Sequence, residues 1–92
     1  MGITKETAVE KAKNDLAKRL DVEVGDIEET SVTERDFPDM SLGAPVNGEM
    51  SAQMISSGWA IELAAGGEKY DYRADKYQLR LHNFNGSNFV IE

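Results

Sequence analysis

The 92-residue chain contains no cysteine, which excludes a disulfide scaffold, a thiolate zinc site and a cysteine nucleophile, and leaves the redox compartment open. Proline is scarce, and both copies, Pro38 and Pro45, fall in one stretch. Histidine occurs once, as His82, with no local motif that holds a serine or carboxylate beside it, so a nucleophilic triad has no support. No run approaches the ~18 apolar residues of a membrane span. The first twenty residues alternate Lys, Glu and Asp with Ala and Leu instead of running basic and then apolar, so the chain reads as soluble, with neither signal peptide nor transmembrane segment. Basic residues are outnumbered 10 to 17, a formal charge of −7 that repels phosphate and argues against nucleic acid and anionic membrane as partners. A cationic protein surface is compatible with that charge, and so is plain solubility.

A chain of this length makes one domain, residues 1–92, with a single simple core, because it buries only about 60–65% of its unfolded surface. Val9, Ala12, Leu16 and Leu20, flanked by Ala8 and Ala17, recur at the three-and-four spacing of a helix stripe over Lys5 to Leu20. Thr4 suits the N-cap, Ile3 is placed to staple onto Ala8, and Lys18 and Arg19 favour the C-terminal end of the dipole. Asp21 to Asp26 reads as a turn that returns Val22 beneath the helix. Thr, Ser and Val favour a strand over Ile27 to Asp36, and the opposite parity of Ile27 and Val32 requires a bulge if both face inward.

Trp59, Ile61, Leu63 and Ala65 alternate with Ala60, Glu62 and Ala64, and Gly66-Gly67 then supplies a two-residue hairpin turn. That turn sets Leu63 opposite Tyr70, Ile61 opposite Tyr72 and Trp59 opposite Ala74, with Glu62 between Lys69 and Arg73 on the reverse face. A second tight turn at Asp75-Lys76 sets Tyr72 opposite Leu79, Tyr70 opposite Leu81 and Asp71 opposite Arg80, with Tyr77 joining the inward row of Trp59 and Ala74. His82 then falls on the outer face beside Lys69 and Ala64. Asn85-Gly86 marks a further turn, and Phe89-Val90-Ile91 a last short strand. The pattern is α+β: one N-terminal helix packed across an antiparallel sheet of four to five strands.

Between the first strand and this meander lies a long non-repetitive segment, Phe37 to Gly58, with both prolines, three glycines and an Asn-Gly pair. Compact domains rarely carry unstructured connections beyond about 12 residues without a functional reason. The candidate binding residues are therefore Pro38, Asp39, Ser41, Leu42, Pro45 and Gln53, with Trp59 at the exit of the loop. Asp36, Asp39, Ser41 and Glu49 also offer oxygen ligands for a cation or small ligand, although Glu28, Glu29 and these acids match no known cage spacing. Gly66-Gly67 and Gly25 do not stand between a strand and a helix, so no phosphate cradle is present. No catalytic residue, metal ligand set or cofactor motif is assigned.

Phe37-Pro38-Asp39-x-Ser41-Leu42-Gly43-x-Pro45, then Gly48, Gln53-Met54-Ile55-x-x-Gly58-Trp59-x-Ile61-x-Leu63 and Tyr70-x-Tyr72-x-x-Asp75, resemble a family of small prokaryotic domains of uncharacterised activity. That family carries an aromatic-Pro-Asp-Ser-Ser-Leu-Gly-Cys-Pro-x-Pro-Gly loop. This chain has Ala44 at the cysteine position and departs again at Met40 and Asn47, so any thiol role implied by the resemblance is lost. The helix-then-meander order is also similar to cystatin-like and PepSY-type domains, and Gln53 to Gly58 loosely echoes the hairpin that cystatins wedge into a peptidase cleft. The resemblance carries over no activity and implies only a small accessory or secreted-type domain whose loop is its distinctive part. The expected function is a non-enzymatic protein-binding module, inhibitor-like towards peptidases, that presents the 38–58 loop to a protein partner. The competing expectation is a small-ligand or cation-binding domain.

Overall fold

The computed structural model describes residues 2–50 and 52–92. Helix α1 (Lys5–Leu20) begins at Thr4, whose hydroxyl accepts from the amide of Thr7 while the Thr7 hydroxyl accepts from the amide of Thr4, a reciprocal cap. It ends at Asp21, which adopts a left-handed conformation so that its own amide and that of Val22 reach carbonyls of the last turn. This cap corrects the expected position of Val22: its amide is held by Ala17, and its side chain points to solvent instead of returning beneath the helix. Ile27 fills that space after a short 3-10 turn (Val24–Asp26).

Among the described residues, five strands follow in strict sequence order: β1 (Glu28–Phe37), β2 (Ser56–Ala65), β3 (Glu68–Ala74), β4 (Leu79–Phe84) and β5 (Ser87–Val90), all antiparallel. The register of β1 shifts between Glu29 and Ser31, the bulge that lets Ile27 and Val32 both reach the core. Ile61, Leu63, Tyr72, Ala74, Leu79 and Leu81 form the inward face, and Ala8, Ala12, Leu16 and Ala17 of α1 close over it. Small alanines on the helix let it sit close to the large residues of the sheet. Trp59 and Tyr70 complete the same face, both half-buried.

One polar connection is built into this apolar layer. The Tyr72 hydroxyl, at the centre of the sheet, donates to Asp15 at 2.7 Å, and Arg19 holds the same carboxylate oxygen at 2.7 Å. Burial, and then the hydrogen bond to Asp15, push the Tyr72 phenol far above its usual range, so at neutral pH it is a donor. Arg19 in turn lies over the rings of Phe89 and Phe84, 4.4 and 5.5 Å from their centres.

The β2–β3 hairpin has the expected register, with Leu63 opposite Tyr70 and Ile61 opposite Tyr72. The β3–β4 register differs from expectation by two residues: Tyr72 faces Leu81, Ala74 faces Leu79, Arg73 faces Arg80 and Asp71 faces His82. The cause is a longer turn over residues 75–78. Asp75 accepts from the amides of Tyr77 and Gln78 through one carboxylate oxygen, at 2.8 and 2.9 Å, and from the Ser56 hydroxyl at 2.7 Å through the other. A carboxylate that organises the turn from inside consumes two more residues than a tight hairpin. An even shift preserves parity, so Leu79 and Leu81 still face inward, but Tyr77 leaves the inward row and is 73% exposed.

Two sets of variants test this packing. Leu16→Ala, at a fully buried site, is expected to lose about 2–4 kcal/mol of stability, and Lys13→Ala to stay within ~0.5 kcal/mol, as read from urea denaturation midpoints. At Gly58 an added Cβ would stand 2.0 Å from the Ala74 carbonyl oxygen. Gly58→Ala is therefore expected to cost about 1–3 kcal/mol by overpacking, where an unconstrained glycine in a strand gains from the same change.

Candidate binding site

Residues 38–49 are folded down onto the sheet face opposite α1. Phe37, the last residue of β1, has the parity of Ser56 and Arg73 and is buried on that outer face, where Leu42 and Ala44 join it outside the main core. The first bend of the loop is built by Asp39. One of its carboxylate oxygens accepts from the Ser41 amide at 3.0 Å, the Ser41 hydroxyl at 2.5 Å and the Gly43 amide at 3.2 Å. These donors, the Ser41 hydroxyl foremost, hold the Asp39 carboxyl below its usual range. The Pro-Asp-x-Ser-Leu-Gly run is thus a turn specification, in which each polar residue serves its neighbours.

Leu42 follows in a left-handed conformation (φ 58°), which costs a branched L-residue roughly 1–2 kcal/mol. Its side chain is fully buried and its carbonyl accepts from Arg73 at 3.0 Å, which offset the strain. Gly43 comes next, also left-handed, with an added Cβ 2.7 Å from the Arg73 guanidinium.

The far side of the loop is tied to β4. Arg80 is 5% exposed, on the outer face, and donates to the Ala44 carbonyl at 3.1 Å and to both oxygens of Glu49 at 2.6 and 2.5 Å. Glu49 also accepts from the Val46 amide, and its carboxyl is held below the ordinary value of 4.5, chiefly by Arg80. Gln78 donates to the Met40 carbonyl at 2.5 Å, and Asn88 of β5 donates to the Pro45 carbonyl at 2.7 Å. The sheet therefore supplies four side chains, from three strands and a turn, to hold the loop's backbone.

The expected site residues divide accordingly. Ser41 and Leu42 are buried and Asp39 is engaged in the turn, whereas Pro38, Pro45 and Gln53 are exposed and Trp59 is half-buried on the helix side of the sheet. Asp36 accepts from the Ser57 hydroxyl at 2.7 Å, so the carboxylates weighed as cation ligands, Asp36, Asp39 and Glu49, each serve a local donor. Among the described residues, no group of three or more acidic, histidine or cysteine side chains stands close enough to hold a metal ion. His82 lies beside Asp71, at 3.2 Å, not beside Lys69 and Ala64, and Arg73 shares that carboxylate at 3.0 Å. Glu62 reaches Lys69 at 3.8 Å, while Arg73 turns to Asp71 and the loop.

The residues that sequence reasoning missed are Arg73, Arg80, Gln78 and Asn88. Their pairing partners lie 31 to 43 positions away, beyond any local pattern. The signal available was the alternation itself, which places Arg73 and Arg80 on a face with no predicted cover.

What remains open to solvent is the return limb of the loop. Met50 is 97% exposed, Ile55 74% and Met54 63%. The Ala52 carbonyl accepts from the Met40 amide, which fixes the limb beside the first bend. Ile55 immediately precedes Ser56, whose hydroxyl binds Asp75, and Asp75 holds the amide of the exposed Tyr77. These bonds gather Met54, Ile55 and Tyr77 at one end of the sheet.

Removing one member of a buried ion pair costs about 3–5 kcal/mol, and since Glu49 keeps partial contact with water, Arg80→Ala is expected near the low end, about 3 kcal/mol, in urea denaturation. Acid titration should show the same linkage. Glu49 and Asp39 have lowered carboxyl pKa values in the fold, so they stabilise it above the unfolded values, and that contribution disappears as pH falls through the folded ones. Glu49→Gln is expected to reduce stability at pH 7 and to flatten its decline below pH 4.5 relative to the parent.

No curated protein and no solved structure matches the chain. The model of a family described as "Domain of unknown function (DUF8738)" matches residues 9–82, from the second turn of α1 into β4. The match contains the Asp39 bend and both loop-anchoring arginines, and the chain belongs to this family.

Proposed function

We propose that the chain is a non-enzymatic protein-binding module whose contact surface is the exposed return limb of the 38–58 loop, together with Tyr77. The observation that carries this reading is the concentration of exposed apolar side chains on a backbone held in place. Met50, Met54 and Ile55 follow one another on a limb pinned by the Met40–Ala52 hydrogen bond and by the start of β2, and Tyr77 stands at the same end. Large apolar groups grouped in this way mark interaction surfaces, and methionine adapts its shape to a partner.

The buried half of the loop is the scaffold for this surface. Asp39, Ser41 and Leu42 shape the bend, and Arg73, Arg80 and Gln78 fasten it, so the limb is presented with little ordering entropy left to lose on binding. The architecture, a helix across a meander with a projecting limb at one end, is similar to that of cystatin-like and PepSY-type domains. In the inhibitor-like form of the reading, Gln53, Met54 and Ile55 enter a peptidase cleft. The aromatic-Pro-Asp-x-Ser-Leu-Gly-x-Pro motif is then the part of the scaffold that sets the limb's position.

A cysteine-free chain makes the test clean. Ile55→Cys, labelled with a benzophenone photocrosslinker, is expected to trap one protein specifically from native lysate, identified by mass spectrometry. Adding Met54→Ser should cut the yield by about tenfold without changing the circular dichroism, as loss of a central apolar contact does. Equal crosslinking from Glu10→Cys on the exposed face of α1, or no loss with Met54→Ser, overturns the reading.

A further inference from the structure

The sheet has one long open edge. β1 runs for ten residues with β2 as its only neighbour, α1 lies over β2, β3 and β4, and the loop that leaves Phe37 folds back over β3, β4 and β5. On β1 itself the α1 side chain Lys13 stands 3.9 Å from Glu29, before the stretch that begins at Ser31. Among the described residues, no main-chain hydrogen bond joins residues 28–36 to anything beyond the β2 ladder. Beyond the bulge at Glu29/Ser31 the pairing from Ser31 to Phe37 is continuous, so the free side offers an unbroken ladder to an incoming strand.

The chemistry of this edge selects its occupant. β1 carries Glu28, Glu29, Glu34 and Asp36 against Arg35 alone, a net charge of −3 over ten residues. A second copy of β1 would place those carboxylates against their own kind, an arrangement natural edges use to prevent self-pairing. Glu34 and Asp36 share a face with the half-buried ring of Trp59, which lies opposite Glu34 on β2, and the three, with Arg35, Ser57 and Gly58, line a depression of about 390 Å³ in which Asp36 also accepts from the Ser57 hydroxyl and the two carboxylates outnumber the one cation. Two carboxylates beside an indole face suit a lysine or arginine side chain, whose stem packs on the ring while its charge meets the acids.

We infer that the edge of β1 binds an extended basic segment of a partner protein by strand addition, with a lysine or arginine of that segment seated between Glu34, Asp36 and Trp59. This surface is distinct from the Met50–Ile55 limb, and the two readings stand or fall separately. The backbone of Ser31 to Phe37 supplies the ladder, and the carboxylates supply register and sign.

The probe is a seven-residue peptide of alternating lysine and valine with blocked ends, added to the intact chain. Trp59 is the sole tryptophan, so its fluorescence reports seating directly, and amide hydrogen exchange of residues 31–37 reports the ladder. Strand addition is expected to protect those amides and to weaken about tenfold or more when alternate peptide amides are N-methylated, which keeps the charge but removes the donors. Glu34→Gln with Asp36→Asn should weaken it similarly, and Ile55→Ser should leave it unchanged. Equal binding of the N-methylated peptide would reduce the edge to a charged surface and overturn the inference. So would a lack of protection at millimolar peptide, or protection that grows with protein concentration when no peptide is present, the mark of a second copy.

Discussion

A guanidinium sealed against the outer face of a sheet has to be surrounded by acceptors, and the way Arg80 meets that demand determines how the second side of this molecule is built. Its five N–H donors find no satisfaction from β3, where the opposing residue is Arg73, another cation. Three of the acceptors come from the loop, the Ala44 carbonyl and both oxygens of Glu49, and the Gln78 side chain is a fourth at 2.7 Å. Arg73 repeats the solution with the Leu42 carbonyl and Asp71. Two adjacent buried or half-buried cations on one face thus require a polar cover, and a segment rich in turns and carbonyls provides it.

The two faces of the sheet are consequently closed by different physics. On one side, alanines of α1 meet Leu63, Tyr72, Leu79 and Leu81 in a close apolar contact, with the Tyr72–Asp15–Arg19 chain as a polar tie across it. On the other, Phe37, Leu42 and Ala44 form a small apolar patch within a frame of directional hydrogen bonds. Directional bonds fix a backbone path more tightly than apolar packing of the same area, which suits a loop whose outer limb has to be held in one position.

The helix, its N-cap, the β1 bulge and the β2–β3 hairpin were legible in the sequence, because each is specified within a few residues: Thr4, the parity of Ile27 and Val32, Gly66-Gly67. The β3–β4 register was not, since the residue that lengthens the turn, Asp75, draws half of its hydrogen bonding from Ser56, 19 positions earlier. Parity survived the error, so the core was still read correctly at Leu79 and Leu81. At the candidate site the motif from Phe37 to Pro45 announced a structured loop, but Ser41 and Leu42 face inward because their partners are side chains of β3 and β4 that only the tertiary fold brings near. Glu49 was legible as one of several acids that could ligate a cation and not as the counter-ion of Arg80.

The fasteners of the loop are Arg73, Gln78, Arg80 and Asn88, and every one of them lies C-terminal to the segment it holds. A growing chain emerges N-terminus first, at roughly 5–20 residues per second. Phe37, Leu42 and Ala44 are therefore made well before anything exists to receive them, and α1, made earlier still, also waits for β2 to β4. The nascent chain carries the apolar residues of both faces uncovered until β3, β4 and β5 have been translated. Fourteen of the seventeen acidic side chains precede residue 70 and oppose association of that intermediate, so the acidity of the sequence serves the half-made chain as well as the finished one.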